Sequence, residues 1–114
     1  MPDKHIKAWG HEVWITNTPL YCGKILVLKK GFRCSMHYHK IKTETFYIQK
    51  GKVQMTIQRT GQAQKIIHMG QGDKIHIEPY LIHSFAGVEY SEIVEISTQH
   101  FEDDSYRLDK SGRA

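Results

Sequence analysis

The chain has 114 residues, of which 39% are hydrophobic and 25% charged, and its formal net charge is +4. This length fits a single domain, and this composition is typical of a globular protein and argues against disorder. No apolar run approaches the roughly 18 residues of a transmembrane helix, and the first ten residues lack the apolar stretch of a secretory signal, so we expect a cytoplasmic protein with no membrane partner.

Short runs of alternating apolar and polar residues follow one another along the chain, separated by glycine and polar turns. The clearest run is 52–59, in which Val53, Met55 and Ile57 share one face, and it is followed by a predicted hairpin turn at 60–63 and a returning strand at 64–69. The other predicted strands are 12–16, 24–28, 35–39, 45–49, 74–77, 83–85 and 92–97. No sustained helical period is present, so we predict an all-β barrel or sandwich.

The tail, 100–114, is charged and reads as irregular. Two interpretations of it stay open: it holds one short helix, or it packs across a partner subunit.

Cys22 and Cys34 have no CxxC spacing and are expected to be free thiols. The positive charge suits anionic small molecules as well as nucleic acid, but no nucleic-acid-binding motif accompanies it, so we predict no nucleic-acid partner.

A cluster of metal-ligating residue types occupies the middle of the chain. His37 and His39 are two residues apart, so on a strand they point to the same face, and Glu44 opens the next predicted strand after a short turn. A later segment delivers His83 after a loop that contains Pro79. Three imidazoles and a carboxylate suit one divalent transition-metal ion such as Mn, Fe, Co, Ni or Zn, and leave coordination positions open for catalysis.

The spacing of these residues resembles the cupin superfamily. Its first motif, G-x5-H-x-H-x(3,4)-E-x6-G, is matched in full at 31–51. Its second motif is matched in part at 72–87 by Gly72, Asp73 and His83, whereas Glu78 and Tyr80 replace a proline and a glycine. The resemblance implies one cupin domain over 1–114, a double-stranded β-helix of jelly-roll type, with His37, His39, Glu44 and His83 as metal ligands.

The flanking segments are similar to the cupin domain of type II phosphomannose isomerases. That group has a basic-x-W-G opening, here at 7–10, a lysine on the following strand, here Lys24, and a closing D-D-x-x-R-x-x-D-x-Y-G-R, here at 103–113 with Ser111 in place of the tyrosine. The resemblance implies an aldose–ketose isomerase that acts on a sugar or sugar phosphate through a metal-stabilised cis-enediol.

Four further residues are candidates for catalysis or substrate binding. Lys24 lies in an apolar strand, where it is either a desolvated proton-transfer group or a rim residue. Glu95 is either a second carboxylate inside the barrel or part of the polar face of an edge strand. Arg107 either clamps a phosphate or pairs with the neighbouring aspartates. Tyr47 is a candidate substrate contact, with packing in the core or wall as the alternative.

Two other functions stay open at this stage. The same four ligands would serve a metal-dependent cupin oxygenase, and a chain without a second base would fit a non-enzymatic sugar- or metabolite-binding cupin. We also predict a homodimer, because small cupins commonly pair through strand edges and an exposed edge favours further pairing.

Overall fold

The structure is a computed structural model that describes residues 3–114. It consists of strands and one short 3-10 helix, Glu102–Asp104, with no α-helix among the described residues. The strands are β1 Asp3–Lys7, β2 Gly10–Asn17, β3 Cys22–Leu28, β4 Phe32–Arg33, β5 His37–Tyr38, β6 Glu44–Lys50, β7 Lys52–Gln58, β8 Lys65–Gly70, β9 Lys74–Ile77, β10 Ile82–Gly87, β11 Ser91–Ser97, β12 Tyr106–Arg107 and β13 Gly112–Arg113. The prediction of an all-β protein is therefore confirmed.

Two antiparallel sheets form the barrel. One has the strand order β1-β2-β3-β11-β6-β9, and the other has the order β12-β5-β10-β4-β13, with the β7–β8 hairpin attached to β10. Strands distant in sequence are neighbours, since β3 pairs with β11 and β4 and β5 both pair with β10. This topology brings the predicted metal-binding segments around His37 and His83 onto adjacent strands.

Alternation along the strands separates the interior of the barrel from its outer surface. In β3 every second residue from Cys22 to Leu28 is buried, and in β11 the same holds from Ser91 to Ser97. The inward positions form a core that includes Leu28, Phe46 and Ile93. Because this period puts Lys24 and Glu95 in the same inward rows, two ionisable side chains enter an otherwise apolar interior.

The turns that bracket the first metal-binding segment have the backbone conformation that glycine favours. Gly31 and Gly51 have φ values of 81° and 93°. A Cβ atom on Gly51 would also clash with the carbonyl oxygen of Tyr90. Glycine at position 51 is therefore required by both the dihedral angle and the close approach of the next strand.

The sequence-based boundaries need correction at three places. The predicted strand 35–39 is reduced to β5, because residues 34–36 and His39 belong to no strand, and β4 was not predicted. The edge strand β1 was not predicted. The tail is not irregular: besides the short helix, it forms β12 and β13, which pair with β5 and β4 of the same chain.

Both cysteines are buried free thiols, as predicted. No helix among residues 3–114 is long and apolar enough to span a membrane.

Candidate metal centre

Three imidazoles converge inside the barrel. His37 lies on β5 directly opposite His83 on β10, and His39 follows β5. One ring nitrogen from each of these histidines lies within 4.8 Å of the others. His39 and His83 are buried and His37 is half-buried, so the cluster faces the interior of the barrel.

The carboxylate of Glu44 completes this cluster. Glu44 is the first residue of β6, and its Oε2 lies 3.3 Å from His39 Nε2 and 3.1 Å from His83 Nε2. The side chain is almost fully buried. The Glu44 carboxylate therefore lies against two of the three imidazoles, while the group of ligand atoms within 4.8 Å of one another consists of the three histidines.

Backbone carbonyls fix the orientation of each imidazole. Nδ1 of His37 donates to the Ser35 carbonyl at 2.7 Å, Nδ1 of His39 to the Asp104 carbonyl at 2.9 Å, and Nδ1 of His83 to the Leu81 carbonyl at 2.8 Å. A carbonyl can only accept, so each Nδ1 carries the proton and each Nε2 presents a lone pair. This tautomer is the one that a histidine uses when Nε2 ligates a metal.

Two of these converging atoms have no hydrogen-bond partner. Glu44 Oε2 and His83 Nε2 are buried and unsatisfied, although they lie only 3.1 Å apart. When Nε2 carries no proton, a carboxylate oxygen and an imidazole lone pair repel each other at this distance, and buried polar atoms are rarely left unpaired. A cation between them would remove both penalties, so the four residues fit a metal ion.

The protonation states in this cluster suit metal binding. Burial, reinforced by the neighbouring His83, holds the pKa of His37 well below its usual value. Burial opposes ionisation of Glu44, but hydrogen bonds donated by protonated Nε2 of His39 and His83, together with the Lys42 ammonium, outweigh it and hold the pKa of Glu44 well below its usual range. A metal ion would act on this carboxylate in place of those protons. A neutral imidazole and an ionised carboxylate are the forms that ligate metals.

A cavity of about 430 Å³ opens beside the cluster. Lys24, Lys42, Glu12 and Glu95 line it together with His37, His39 and Glu44. Lys42 Nζ lies 2.6 Å from Glu95 Oε2 and 3.5 Å from Glu44 Oε1, while Lys24 Nζ lies 3.5 Å from Glu12 Oε1. The cavity therefore combines a candidate metal site with two acid–amine pairs.

The structure decides between the alternatives left open for Lys24 and Glu95. Lys24 is only 2% exposed and sits over the ring of Trp14, so it is a cavity residue and not a rim residue. Glu95 is 4% exposed and points into the barrel, where its Oε2 also accepts a hydrogen bond from Ser97. Both residues line the same cavity as the candidate metal ligands His37, His39 and Glu44.

Arg107 lines the cavity, and its described hydrogen bond goes to a serine and not to one of the neighbouring aspartates. Its Nη1 donates to Ser35 Oγ at 3.1 Å, next to the strand that carries His37. Of the aspartates considered as its partners, Asp109 forms a two-pronged pair with Arg33, and Asp104 accepts backbone N–H groups. The exposed Arg107 guanidinium thus stays at the opening.

Tyr47 is not brought to this site. It is 38% exposed on β6, between the inward-facing Phe46 and Ile48, and it does not line the cavity. The alternation that starts with the inward Glu44 places every odd-numbered residue of this strand on the outer face. The expected substrate contact at Tyr47 is corrected on this ground.

Two residues that sequence reasoning missed complete the cavity wall. Lys42 lies in the loop between His39 and Glu44, and His100 begins the tail. Lys42 Nζ lies 3.0 Å from His100 Nδ1, and burial, followed by the charges of Lys42 and Lys24, lowers the pKa of His100 to about 3. Neither position belongs to a strand, so no alternation in the sequence indicates the direction of its side chain.

Solved structures with the same fold include two classes of protein. A single-residue variant of oxalate decarboxylase from Bacillus subtilis matches at a TM-score of 0.83 and 22% identity, over 94% of this chain and 30% of that chain. Another structure of that enzyme, concerned with its Mn(II) centres, matches at 0.83 and 20%, with the same coverage. The capsular polysaccharide assembling protein CapF from Staphylococcus aureus matches at 0.82 and 17%, over 96% of this chain and 33% of that one.

These likenesses show the fold: the predicted all-β barrel of the cupin type is confirmed, and it holds three histidines that could bind a metal ion. The chain spans about a third of the length of these structures. No family model and no curated protein in the comparisons matches the chain.

Proposed function

We propose that the chain binds one divalent transition-metal ion through His37, His39, Glu44 and His83. The proposal is supported by the buried, unsatisfied Glu44 Oε2 and His83 Nε2 and by the three Nδ1–carbonyl hydrogen bonds that leave every Nε2 bare. Three nitrogen ligands and one oxygen ligand suit Mn, Fe, Co, Ni or Zn. Elemental analysis of the purified protein identifies the metal.

We further propose that the metal-loaded chain isomerises a sugar or sugar phosphate between its aldose and ketose forms. This reaction moves one carbon-bound proton between C1 and C2 through a cis-enediol, so it needs a positive charge near two oxygens and a base near the carbon. A divalent cation in the site would supply Lewis-acid stabilisation of the oxygens that gain negative charge. The observation that carries the proposal is a carboxylate, Glu95, in the same cavity.

Glu95 has the contacts expected of the base. Within residues 3–114 both hydrogen-bond contacts of its side chain go to Oε2, from Lys42 at 2.6 Å and from Ser97 at 2.9 Å. Oε1 is therefore free to accept the proton from one carbon and return it to the neighbouring one. Burial opposes the charged form of Lys42, but Glu95 and Glu44 outweigh it and raise its pKa, so the ammonium stays charged beside Glu95.

Two cations support recognition of the substrate's oxygens. The hydrogen-bond contact of Lys24 within the described residues is a long one, 3.5 Å to Glu12 Oε1, which leaves ammonium protons for hydroxyl groups in the cavity. At the mouth, Arg107 is exposed and anchored by Ser35 Oγ, and Lys7 and Lys110 line the same opening. A guanidinium there suits a phosphate group, so we favour a sugar phosphate over a free sugar.

Proton exchange with solvent tests this reaction. The metal-loaded protein is incubated in heavy water with mannose 6-phosphate, fructose 6-phosphate, mannose or lyxose, and deuterium at C1 or C2 is measured. We expect exchange with a phosphorylated sugar, and a roughly 10²- to 10⁴-fold slower exchange in Glu95→Gln at unchanged metal content. Glu92→Gln, on the outer face of the same strand, is the matched control.

Two results would refute the isomerase. Oxygen uptake on a substrate by an iron- or nickel-loaded protein would favour the oxygenase instead. Ligand binding without exchange for any of the four sugars would favour a non-enzymatic binding cupin.

We also propose that the chain forms a homodimer through a sheet edge. β1 ends the six-stranded sheet, and within residues 3–114 only β2 pairs with it. Such an edge leaves backbone donors and acceptors for a strand of a second copy. Light scattering should give twice the 13.3 kDa chain mass, and a monomer at all concentrations would contradict the proposal.

A further inference from the structure

One buried carboxylate in the tail organises the loop between two of the candidate metal ligands. Asp104 is 3% exposed and ends the short 3-10 helix. Its Oδ1 lies 2.9 Å from the backbone nitrogen of Lys40, its Oδ2 lies 3.1 Å from that of Lys42, and both oxygens lie within 3.3 Å of the Ile41 nitrogen. Three consecutive N–H groups therefore point to one carboxylate.

These N–H groups belong to a segment that has no sheet partners. Residues 39–43, which connect β5 to β6, lie outside every strand. Backbone N–H groups need partners when they are buried. The Asp104 side chain takes the place that a neighbouring strand would otherwise have, and it fixes the path by which the chain travels from His39 to Glu44.

The backbone of the same residue acts directly on a candidate ligand. The Asp104 carbonyl accepts the hydrogen bond from His39 Nδ1 at 2.9 Å, which sets the tautomer of His39 and aims its Nε2 at Glu44. Asp104 thus touches both the ring of His39 and the loop that leads to Glu44. Within residues 3–114, the Nδ1 atoms of the other two histidines donate to backbone carbonyls only two positions earlier in the chain.

We propose that Asp104 is a positioning residue for the metal site, which holds His39 and Glu44 at the separation that one ion requires. The inference rests on the metal site proposed above, and not on the isomerase reaction. Partners that orient metal ligands typically change metal affinity by roughly 10- to 100-fold when they are removed. Asp104→Ala should weaken metal binding by that factor. Asp104→Asn, which keeps one acceptor oxygen, should weaken it less.

Cobalt binding to the full chain tests the proposal. The dissociation constant for Co²⁺ is measured by chelator competition, the visible spectrum of bound Co²⁺ reports ligand geometry, and urea unfolding of the metal-free protein reports stability. Asp73→Ala is the matched control, because Asp73 also accepts a backbone N–H, from Gly70 at 2.8 Å, but does so in the turn between β8 and β9. We expect weaker binding and an altered spectrum in the Asp104 variants, and wild-type binding in Asp73→Ala.

Several outcomes would overturn the proposal. One is a folded Asp104→Ala or Asp104→Asn protein that binds Co²⁺ as the wild type does. Failure of both variants to fold would make Asp104 a determinant of folding instead. A wild-type chain that binds no Co²⁺ would overturn this proposal together with the metal site. One outcome separates the two proposals. If the Asp104 variants bind Co²⁺ more weakly while the wild-type protein shows no isomerase activity, the positioning role is supported and only the proposed reaction is refuted.

Discussion

Lys42 Nζ lies 2.6 Å from Glu95 Oε2 inside the barrel, and the two side chains are only 2% and 5% exposed. Lys42 also approaches Glu44 Oε1 and His100 Nδ1, so one ammonium links the candidate base, a candidate metal ligand and the tail. The charge of Lys42 therefore bears on both stability and chemistry.

Removing this charge should destabilise the metal-free protein. Lys42→Met leaves the Glu95 carboxylate buried without its partner, which costs about 3–5 kcal/mol when a buried pair is broken on one side. The double variant Lys42→Met, Glu95→Gln should recover part of the loss, because it removes both charges. The free energy of unfolding in urea measures both effects.

The control is an ion pair on the surface. Lys52 and Glu89 are 68% and 52% exposed. Lys52→Met should therefore change the free energy of unfolding by less than about 1 kcal/mol. Equal losses for Lys42→Met and Lys52→Met would show that burial does not govern the interior pair.

Metal loading should stabilise the wild-type protein and depend on His39. A ligand that binds only the folded state adds about 2.7 kcal/mol at a concentration roughly 100 times its dissociation constant. The melting temperature should therefore rise with added Mn²⁺ or Zn²⁺, and His39→Ala should show no rise and no bound metal. His76→Ala, whose side chain is exposed on β9, should behave as wild type. Retention of stoichiometric metal by His39→Ala would refute the ligand set.

Acid should destabilise the metal-free protein through His100. Burial, followed by the Lys42 and Lys24 charges, lowers the pKa of His100 from 6.5 to about 3. Between these pH values the unfolded chain binds a proton that the folded chain does not, so the free energy of unfolding falls as the pH falls through this window. His37, whose pKa is also lowered, acts in the same direction.

Urea titrations at several pH values measure this effect. His100→Gln should give a shallower decline of the free energy of unfolding toward acid pH, because it removes one of the groups that the folded state keeps neutral. The exposed His68→Gln is the control and should follow the wild type. A slope for His100→Gln identical to that of wild type would contradict the assignment.

Tyr80 should show a cost of backbone conformation. It has φ of 70°, a left-handed conformation that is unfavourable for residues with a Cβ atom, while its ring stacks on Tyr38 at 6.1 Å and its N–H donates to the His39 carbonyl. Tyr80→Gly and Tyr80→Ala both lose the ring, but only glycine relieves the strain. The glycine variant should be more stable than the alanine variant by about 1 kcal/mol in urea unfolding. Equal stability of the two variants would show that the strain is negligible.

Much of the candidate site follows from local sequence rules. Alternation on a strand predicts that His37 and His39 share a face, and turn residues bound the segment that ends at Gly51. The same period predicts which residues share a face with Lys24 and with Glu95. It does not predict whether that face points into the barrel or outward. One residue of known direction settles the question for its whole strand. Because Glu44 points inward, Tyr47 on the same strand points outward.

The sequence by itself predicted most of the longer strands, because these depend on the two-residue period of a strand, and its resemblance to the cupin superfamily implied the barrel and the four candidate metal ligands. It did not predict β1, β4 or the two tail strands. Only the tertiary structure decided which charges surround the ligands. Asp104 meets the Lys40 backbone across 64 positions and Lys42 meets His100 across 58, and such contacts arise from loops whose side-chain directions no period encodes. The candidate metal site is thus specified by short motifs, while its positioning depends on a tail that folds back over it.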